Sequence, residues 1–282
     1  MNRIMRASAF TIALLIVTAS ALAQTAQSTL GAQMAELNSL KDKVKSTDTR
    51  TRVAAFHRAW TIALDSDDNG VKILALELMK EPVASASDHI RMPAVYAIAE
   101  VANSTTDVTV KSKALATLKE PIVAGQLPIR LAAVDAVNSM MCPSAPAALA
   151  LEAVQLLGEP VRSGNNGIRI PAINAVAHIA LASKDDRVFN AAIEVMQEPL
   201  HSMALIGGME VRMMAVVEVE RMGVSAPDIA TKAKAMGLLQ GCANNDQWEP
   251  EARSRAAEAA SRVQNSMKEM PAPPHQLPKS QT

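Results

Sequence analysis

Histidine and cysteine are the residues that most often bind metal ions or act as catalytic bases and nucleophiles, and in this chain they are scattered. The five histidines have no second histidine four residues away: His57, His89, His178, His201 and His275. The cysteines, Cys142 and Cys242, are 100 residues apart, whereas zinc sites use closely spaced pairs. No nucleophile-elbow, phosphate-loop or dinucleotide-binding motif occurs in the sequence. We therefore predict no catalytic residue, no metal site and no cofactor.

The N-terminus has the three parts of a secretory signal peptide: a basic start at Arg3 and Arg6, an apolar run from Ala7 to Val17, and an A-x-A cleavage site at Ala21–Ala23. The apolar run is shorter than the ~20 residues of a membrane-spanning helix, which argues against the alternative of an uncleaved anchor. We predict cleavage after Ala23, a secreted or periplasmic location, and no stable membrane insertion of the mature chain.

The charge balance gives no reason to expect a nucleic acid partner. Cleavage removes two of the 28 basic residues and none of the 28 acidic ones, and leaves a net charge of −2. Aromatic residues make up 2% of the sequence, too few to build base-stacking platforms. Alanine and methionine supply the apolar residues instead, a composition that favours closely packed helices over strands.

The elements that position these residues are internal repeats. Two series recur every 39 residues: the pairs Glu81-Pro82, Glu120-Pro121, Glu159-Pro160 and Glu198-Pro199, and the arginines Arg52, Arg91, Arg130 and Arg169. The next arginine, Arg212, follows after 43 residues, so the fourth repeat contains a four-residue insertion around SMALIGG. Fixed periods of this length are typical of solenoid proteins.

Each repeat has the pattern of two helices. Apolar residues three, four, seven and ten positions after the arginine mark one face of a first helix. A polar break with an aspartate in a fixed register follows, at Asp68, Asp107, Asp185 and Asp228, and we predict that these residues cap the second helix. Alanines recur in register in that second helix: Ala75, Ala114, Ala153, Ala192 and Ala235. We predict that proline ends it.

The glutamates and arginines flank the loop between repeats. We predict a structural ladder of ion pairs across each loop, such as Glu81 with Arg91 and Glu120 with Arg130. The residues of this ladder are Arg52, Arg91, Arg130, Arg169, Arg212, Glu81, Glu120, Glu159 and Glu198. The alternative is that the arginines form an anion-binding stripe.

The segments IRMPAVYAIAEVA, IRLAAVDAVNSM and IRIPAINAVAHIA resemble the first helix of HEAT repeats, particularly the short form of phycobilin-lyase-like proteins. Pro93 and Pro171 are similar to the proline that this helix often carries. The resemblance covers about residues 48–265, and it implies a fold and no catalytic residue. We predict an all-α protein, a right-handed α-solenoid of about five HEAT-like helix pairs with helical caps.

The repeat spacing also predicts the division of the chain. We expect a signal peptide at 1–23, an N-terminal capping helix at 24–47, repeats at 48–86, 87–125, 126–164, 165–207 and 208–248, a half-repeat at 249–265, and a Pro-rich disordered tail at 266–282. Cys142 and Cys242 would lie about two repeats apart. Because helices pack 8–10 Å apart and a disulfide tolerates about 7 Å between Cα atoms, we predict buried, unpaired thiols. A redox or intermolecular role is the alternative.

The second helices of solenoid repeats usually line the concave face, which binds partners. Those of the first two repeats are basic and those of the third and fourth acidic; the candidate binding residues are Lys72, Lys80, Lys111, Lys113, Lys119, Glu152 and Glu194. A surface of both signs would suit an elongated protein or peptide. Ordinary solvated helix faces are the alternative.

We therefore predict a non-enzymatic, protein-binding scaffold that is exported and binds a protein or peptide through this face. Two alternatives stay open. One is a structural component of a self-assembled envelope or extracellular complex. The other is an enzyme with an unrecognised site on the concave face.

Overall fold

The computed structural model describes residues 27–141, 145–201 and 208–270. This part of the chain is all-α and contains no strand. A first helix, α1, spans residues 27–40, and a short 3-10 turn follows at Lys43–Lys45. The other helices are Thr49–Asp65 (α2), Asn69–Val83 (α3), Asp88–Asn103 (α4), Val108–Ala124 (α5), Leu127–Met141 (α6), Ala147–Val161 (α7), Asn166–Ser183 (α8), Asp186–His201 (α9), Gly208–Ser225 (α10), Ile229–Ala243 (α11) and Pro250–Lys268 (α12).

The signal peptide, Cys142, most of the insertion and the tail beyond residue 270 lie outside the described residues, so their assignments stay predictions. At the C-terminus, α12 continues to Lys268, three residues into the segment predicted as tail.

The chain divides into two compact units, one up to Glu120 and one from Pro121. In the first unit, α2 packs against α3 and α4, and α3 packs against α4. In the second unit, the first helices of successive pairs stack as α6, α8, α10 and α12, and the second helices stack as α7, α9 and α11. This layered stacking of helix pairs is the arrangement of an α-solenoid, and the all-α repeat prediction is confirmed.

The core consists of the residues that recur in register. All five in-register alanines of the second helices are buried, as are those of the first helices: Ala55, Ala94, Ala133, Ala172 and Ala215. The residue that follows each of these first-helix alanines is also buried: Phe56, Val95, Val134, Ile173 and Val216. Small side chains at fixed positions let neighbouring helices approach closely, so the same register is repeated in each layer.

Aspartates begin the second helices, as predicted. Asp68, Asp107 and Asp228 accept hydrogen bonds from the backbone amides three residues on, at 2.8–2.9 Å, and Asp185 accepts from the amide of Arg187 at 2.9 Å. These carboxylates satisfy amides that have no partner within the helix.

The prediction that proline ends the second helix is wrong. Pro82, Pro121, Pro160 and Pro199 lie in the last turn, and the helices continue for one to three residues beyond them. Proline lacks an amide hydrogen, so it removes only one hydrogen bond near a helix end, and its own carbonyl still accepts. The Pro82 carbonyl accepts from the Ser85 amide at 3.1 Å, and the helix ends only at Val83.

Candidate protein-binding face and arginine ladder

The arginines that open the first helices pair with glutamates, but with different glutamates from those predicted. The ion pairs are Arg91–Glu120 at 2.7 Å, Arg130–Glu159 at 2.8 Å, Arg169–Glu198 at 2.6 Å and Arg212–Glu249 at 3.0 Å. Each of the first three arginines pairs with the glutamate 29 residues later, in the second helix of its own pair. The expected Glu81–Arg91 and Glu120–Arg130 pairs are therefore corrected: three of the four pairs join the two helices of one repeat instead of crossing the loop between repeats. The fourth joins Arg212 in α10 to Glu249, the N-cap residue of α12.

The first position of the series differs. Among the described residues Arg52 forms no ion pair, although Glu81 lies 29 residues after it. Glu81 instead lies 3.7 Å from Lys45, which belongs to the N-terminal 3-10 turn. The terminal cap thus supplies the cation that an arginine supplies in the later repeats.

The paired arginines of the ladder are largely buried, whereas their glutamate partners are more exposed. The Arg169 side chain is 1% exposed and its partner Glu198 is 37% exposed, so the cation lies inside and the carboxylate lies at the surface. Burial lowers the pKa of Arg169, and the charge and hydrogen bond of Glu198 oppose this effect. In Arg130 the Nε donates to the carbonyl of Ile122, in the preceding helix, at 2.7 Å. Buried guanidinium groups support the structural interpretation over an anion-binding stripe.

Lys72 is not part of an exposed face, which corrects its assignment as a binding residue. Its side chain is 3% exposed, and its Nζ donates to the Ala63 carbonyl at 2.9 Å and to Ser104 Oγ at 2.7 Å. Burial lowers its pKa. The ammonium group caps the C-terminal end of α2, where the helix dipole favours a cation.

A second buried lysine has the same role in the second unit. Lys232 Nζ donates to the Gly223 carbonyl at 3.3 Å and to Ser266 Oγ at 3.2 Å, and burial lowers its pKa too. Lys72 and Lys232 share one register in the sequence. Each reaches a serine near the C-terminal end of the first helix of the following repeat, Ser104 directly after α4 and Ser266 in α12. The register alone does not reveal this role.

The other candidate binding residues differ in exposure. Lys80, Lys119 and Glu194 are exposed, whereas Lys111, Lys113 and Glu152 are half-buried. Burial lowers the pKa of Lys111. Some of these charges pair between neighbouring second helices: Lys113 with Glu77, and Glu194 with Lys234 at 2.7 Å. These pairs hold side chains in place across adjacent helices.

Two lysines that are not among the predicted binding residues lie beside α3 in the first unit. Lys41 and Lys45 line a cleft of about 370 Å³ together with Val44, Leu74, Glu77, Leu78, Lys80 and Glu81. The signal that could have found Lys41 is its spacing, because Lys41, Lys80 and Lys119 are 39 residues apart.

The buried thiol of Cys242 is free, and burial raises its pKa to about 11. It is therefore protonated at neutral pH, which suits packing better than redox chemistry. Within residues 27–141, 145–201 and 208–270, no cluster of three or more His, Cys, Asp or Glu side chains could hold a metal ion. No helix in these ranges is long and apolar enough to cross a membrane.

No protein-family model matches the chain, and no curated protein matches it. An archaeal HEAT-like repeats protein from Thermococcus onnurineus NA1 is 14% identical over 85% of this chain and 93% of its own, with a TM-score of 0.48. Armadillo repeat proteins designed for modular peptide recognition are 18% identical over 80% and 99%, with a TM-score of 0.47. A designed armadillo repeat protein in complex with the peptide (KR)4 is 18% identical over 80% and 98%, with a TM-score of 0.45.

This protein consists of repeated helix pairs that stack in the same manner as HEAT-like repeats. That conclusion rests on its own 39-residue spacing and on the stacking of its helix pairs. The narrower resemblance to phycobilin-lyase-like repeats stays a prediction.

Proposed function

We propose that the protein is a non-enzymatic, protein-binding scaffold that is exported to the periplasm or the cell exterior. The observation that carries this proposal is that each unit has exposed charged side chains on its second helices: Lys80 and Lys119 in the first unit and Glu194 in the second. Repeat solenoids commonly serve as protein-binding scaffolds because stacked helices present an extended surface.

Ion pairs between second helices hold other charged side chains in place, and this order supports a binding role. Lys113 and Glu77 join α3 to α5, and Glu194 and Lys234 join α9 to α11. A surface whose side chains are already ordered loses less conformational entropy when a partner binds. The signal peptide predicted at residues 1–23 is the basis for proposing export.

Affinity capture with a matched pair of variants tests this function. The full chain, as its host produces it, would be compared with a Lys80→Glu/Lys119→Glu variant and with an Arg50→Glu/Lys268→Glu control that changes the net charge equally. All four residues are exposed, so both variants should fold. We expect the parent and the control to capture the same partner and the Lys80/Lys119 variant to lose it.

Other outcomes contradict parts of the proposal. Equal capture by both variants would place the binding surface elsewhere. Recovery of the protein itself alone would favour the self-assembly alternative. Capture of no protein at all would contradict the scaffold function and favour the enzyme alternative.

A further inference from the structure

Three lysines of the first unit form a row. Lys41, Lys80 and Lys119 are 39 residues apart, all three are exposed, and each is followed by an acidic residue. Lys41 follows α1, Lys80 lies in the last turn of α3, and Lys119 lies in α5.

Contacts between the elements place the three lysines on neighbouring segments. Lys41 and Lys80 line the same cleft, and the pair between Glu77 and Lys113 joins α3 to α5. Neighbouring helices pack 8–10 Å apart, so we expect a spacing of about 10 Å between the segments that carry successive lysines of the row.

The row has unneutralised positive charge. Among the described residues, neither Lys41 nor Lys119 forms an ion pair or a side-chain hydrogen bond. Lys80 has only a loose pair with Glu77, at 3.6 Å, and that glutamate also binds Lys113. Lys41 and Lys119 therefore carry positive charges that no described carboxylate pairs with, although the whole mature chain has a slightly negative net charge.

An apolar floor lies between the first two lysines. Val44, Leu74 and Leu78 line the cleft, and charged residues surround it: Lys41, Lys45, Lys80, Glu77 and Glu81. The two glutamates already have lysine partners, Glu77 in Lys113 and Glu81 in Lys45. Its volume of about 370 Å³ is enough for one or two side chains of a bound chain.

From this geometry we propose that the row of Lys41, Lys80 and Lys119 binds an extended acidic peptide segment with a carboxylate at every third residue and an apolar side chain between the first two carboxylates. This inference rests on the scaffold function proposed above and specifies its partner. A polyproline II segment rises 3.1 Å per residue with three residues per turn, so every third side chain points the same way and recurs about every 9 Å. That repeat matches the spacing expected for the segments that carry the lysines.

Peptide binding tests the proposal. A labelled nine-residue peptide, Glu-Leu-Pro-Glu-Ala-Pro-Glu-Ala-Pro, would be titrated with the full chain by fluorescence anisotropy at low and physiological salt. We expect saturable, salt-sensitive binding, and about tenfold weaker binding by a Lys41→Glu/Lys119→Glu variant because each reversal replaces an attraction by a repulsion. The Arg50→Glu/Lys268→Glu control should bind like the parent protein.

Altered peptides test the spacing and the cleft separately. A peptide of the same composition with three adjacent glutamates should bind several-fold more weakly, and so should one with serine in place of leucine. Equal binding of the adjacent-glutamate peptide, or equal binding by the Lys41/Lys119 variant, would overturn the proposal. Preferential binding to anionic phosphatidylglycerol vesicles or to a sulfated polysaccharide would overturn it as well.

The two levels of the proposal can fail separately. If the peptides do not bind but affinity capture still depends on Lys80 and Lys119, the scaffold function stands and the acidic peptide as partner is wrong. If the peptides do not bind and the parent protein captures no protein, both the acidic peptide and the scaffold function are wrong.

Discussion

At the residue scale, Arg130 shows how an arginine near the start of a first helix can contact two other helices. Its Nε binds the Ile122 carbonyl of the preceding helix at 2.7 Å, and its guanidinium pairs with Glu159 at 2.8 Å. One side chain thus connects three helices. Because the arginines are more buried than their glutamate partners, their removal affects the interior of the protein.

Arg130→Ala should lower the free energy of unfolding by about 1–2 kcal/mol, since hydrogen bonds from a charged, largely buried group are lost. Chemical denaturation measures this change. Arg187→Ala is the matched control, because Arg187 is 73% exposed and pairs only at the surface, and it should leave stability nearly unchanged. Affinity for a partner should not change in Arg130→Ala; lost binding with an unchanged denaturation curve would favour the anion-binding alternative.

Glu220 gives a prediction about pH. Burial alone would raise the pKa of this carboxyl group, but hydrogen bonds from Arg262 and Arg255 outweigh burial and hold the pKa below its usual value near 4.5. A lowered folded-state pKa stabilises the folded protein above the unfolded-state value, and this stabilisation is lost as the pH falls through the folded-state pKa.

Glu220→Gln should therefore be less stable than the parent at pH 7 by about 1–2 kcal/mol. The difference should shrink as the pH is lowered from about 5 to 3. Denaturation curves at several pH values measure it, and a difference independent of pH would show that the carboxylate charge is not the cause.

At the element scale, small residues set how closely the helices pack. A Cβ atom at Gly223 in α10 would lie 2.8 Å from the Ala235 Cβ and 2.8 Å from a methyl group of Val263, so α10, α11 and α12 meet at this point. By contrast, a Cβ at Gly237 in α11 would meet nothing within 4 Å.

The two glycines should thus respond oppositely to alanine. Gly223→Ala should destabilise by about 1–3 kcal/mol through overpacking. Gly237→Ala should stabilise by up to about 1 kcal/mol, because alanine has the higher helix propensity. Thermal unfolding of both variants checks this, and a stabilising Gly223→Ala would mean that α10 can move away from α12 at little cost.

The in-register alanine of α7 permits a second test of packing. Ala153 is fully buried and belongs to α7, which packs against α8 and α9, so Ala153→Leu should destabilise by about 1–3 kcal/mol. Gln155→Leu, at an exposed position of the same helix, should be nearly neutral. Similar stability of the two variants would contradict the packing of α7.

At the scale of the whole molecule, the terminal helices show how the stacks end. The outer side of α12 is polar, with Glu251, Glu258, Arg262 and Lys268 in its sequence, and its buried residues are alanines and Val263. At the other end, α1 and the 3-10 turn bury Leu37, Leu40 and Val44. Polar outer faces on terminal repeats keep a solenoid from stacking end to end.

Export is also a property of the whole molecule. Mass spectrometry of the protein recovered from the envelope or medium of its host should find Gln24 as the first residue, because cleavage after Ala23 follows from the A-x-A site. An Ala21→Arg/Ala23→Arg variant should stay uncleaved. A parent protein that retains Met1 would contradict the predicted signal peptide.

The sequence by itself determined the repeat, the helix pairs, the aspartate caps and the buried alanine registers. These features are local or periodic: each depends on which residues recur every 3.6 positions along a helix or every 39 along the chain. For this reason the fold class could be predicted from a single sequence.

Only the tertiary structure decided which side chains meet. A 39-residue period fits a glutamate 10 residues before an arginine as well as one 29 residues after it, and the packing of the two helices of one repeat selects the second. The register of Lys72 likewise does not distinguish an exposed cation from one that caps α2, because the end of that helix must first be placed beside it. Pairing and burial depend on distances between segments that are remote in sequence, and packing in three dimensions fixes those distances.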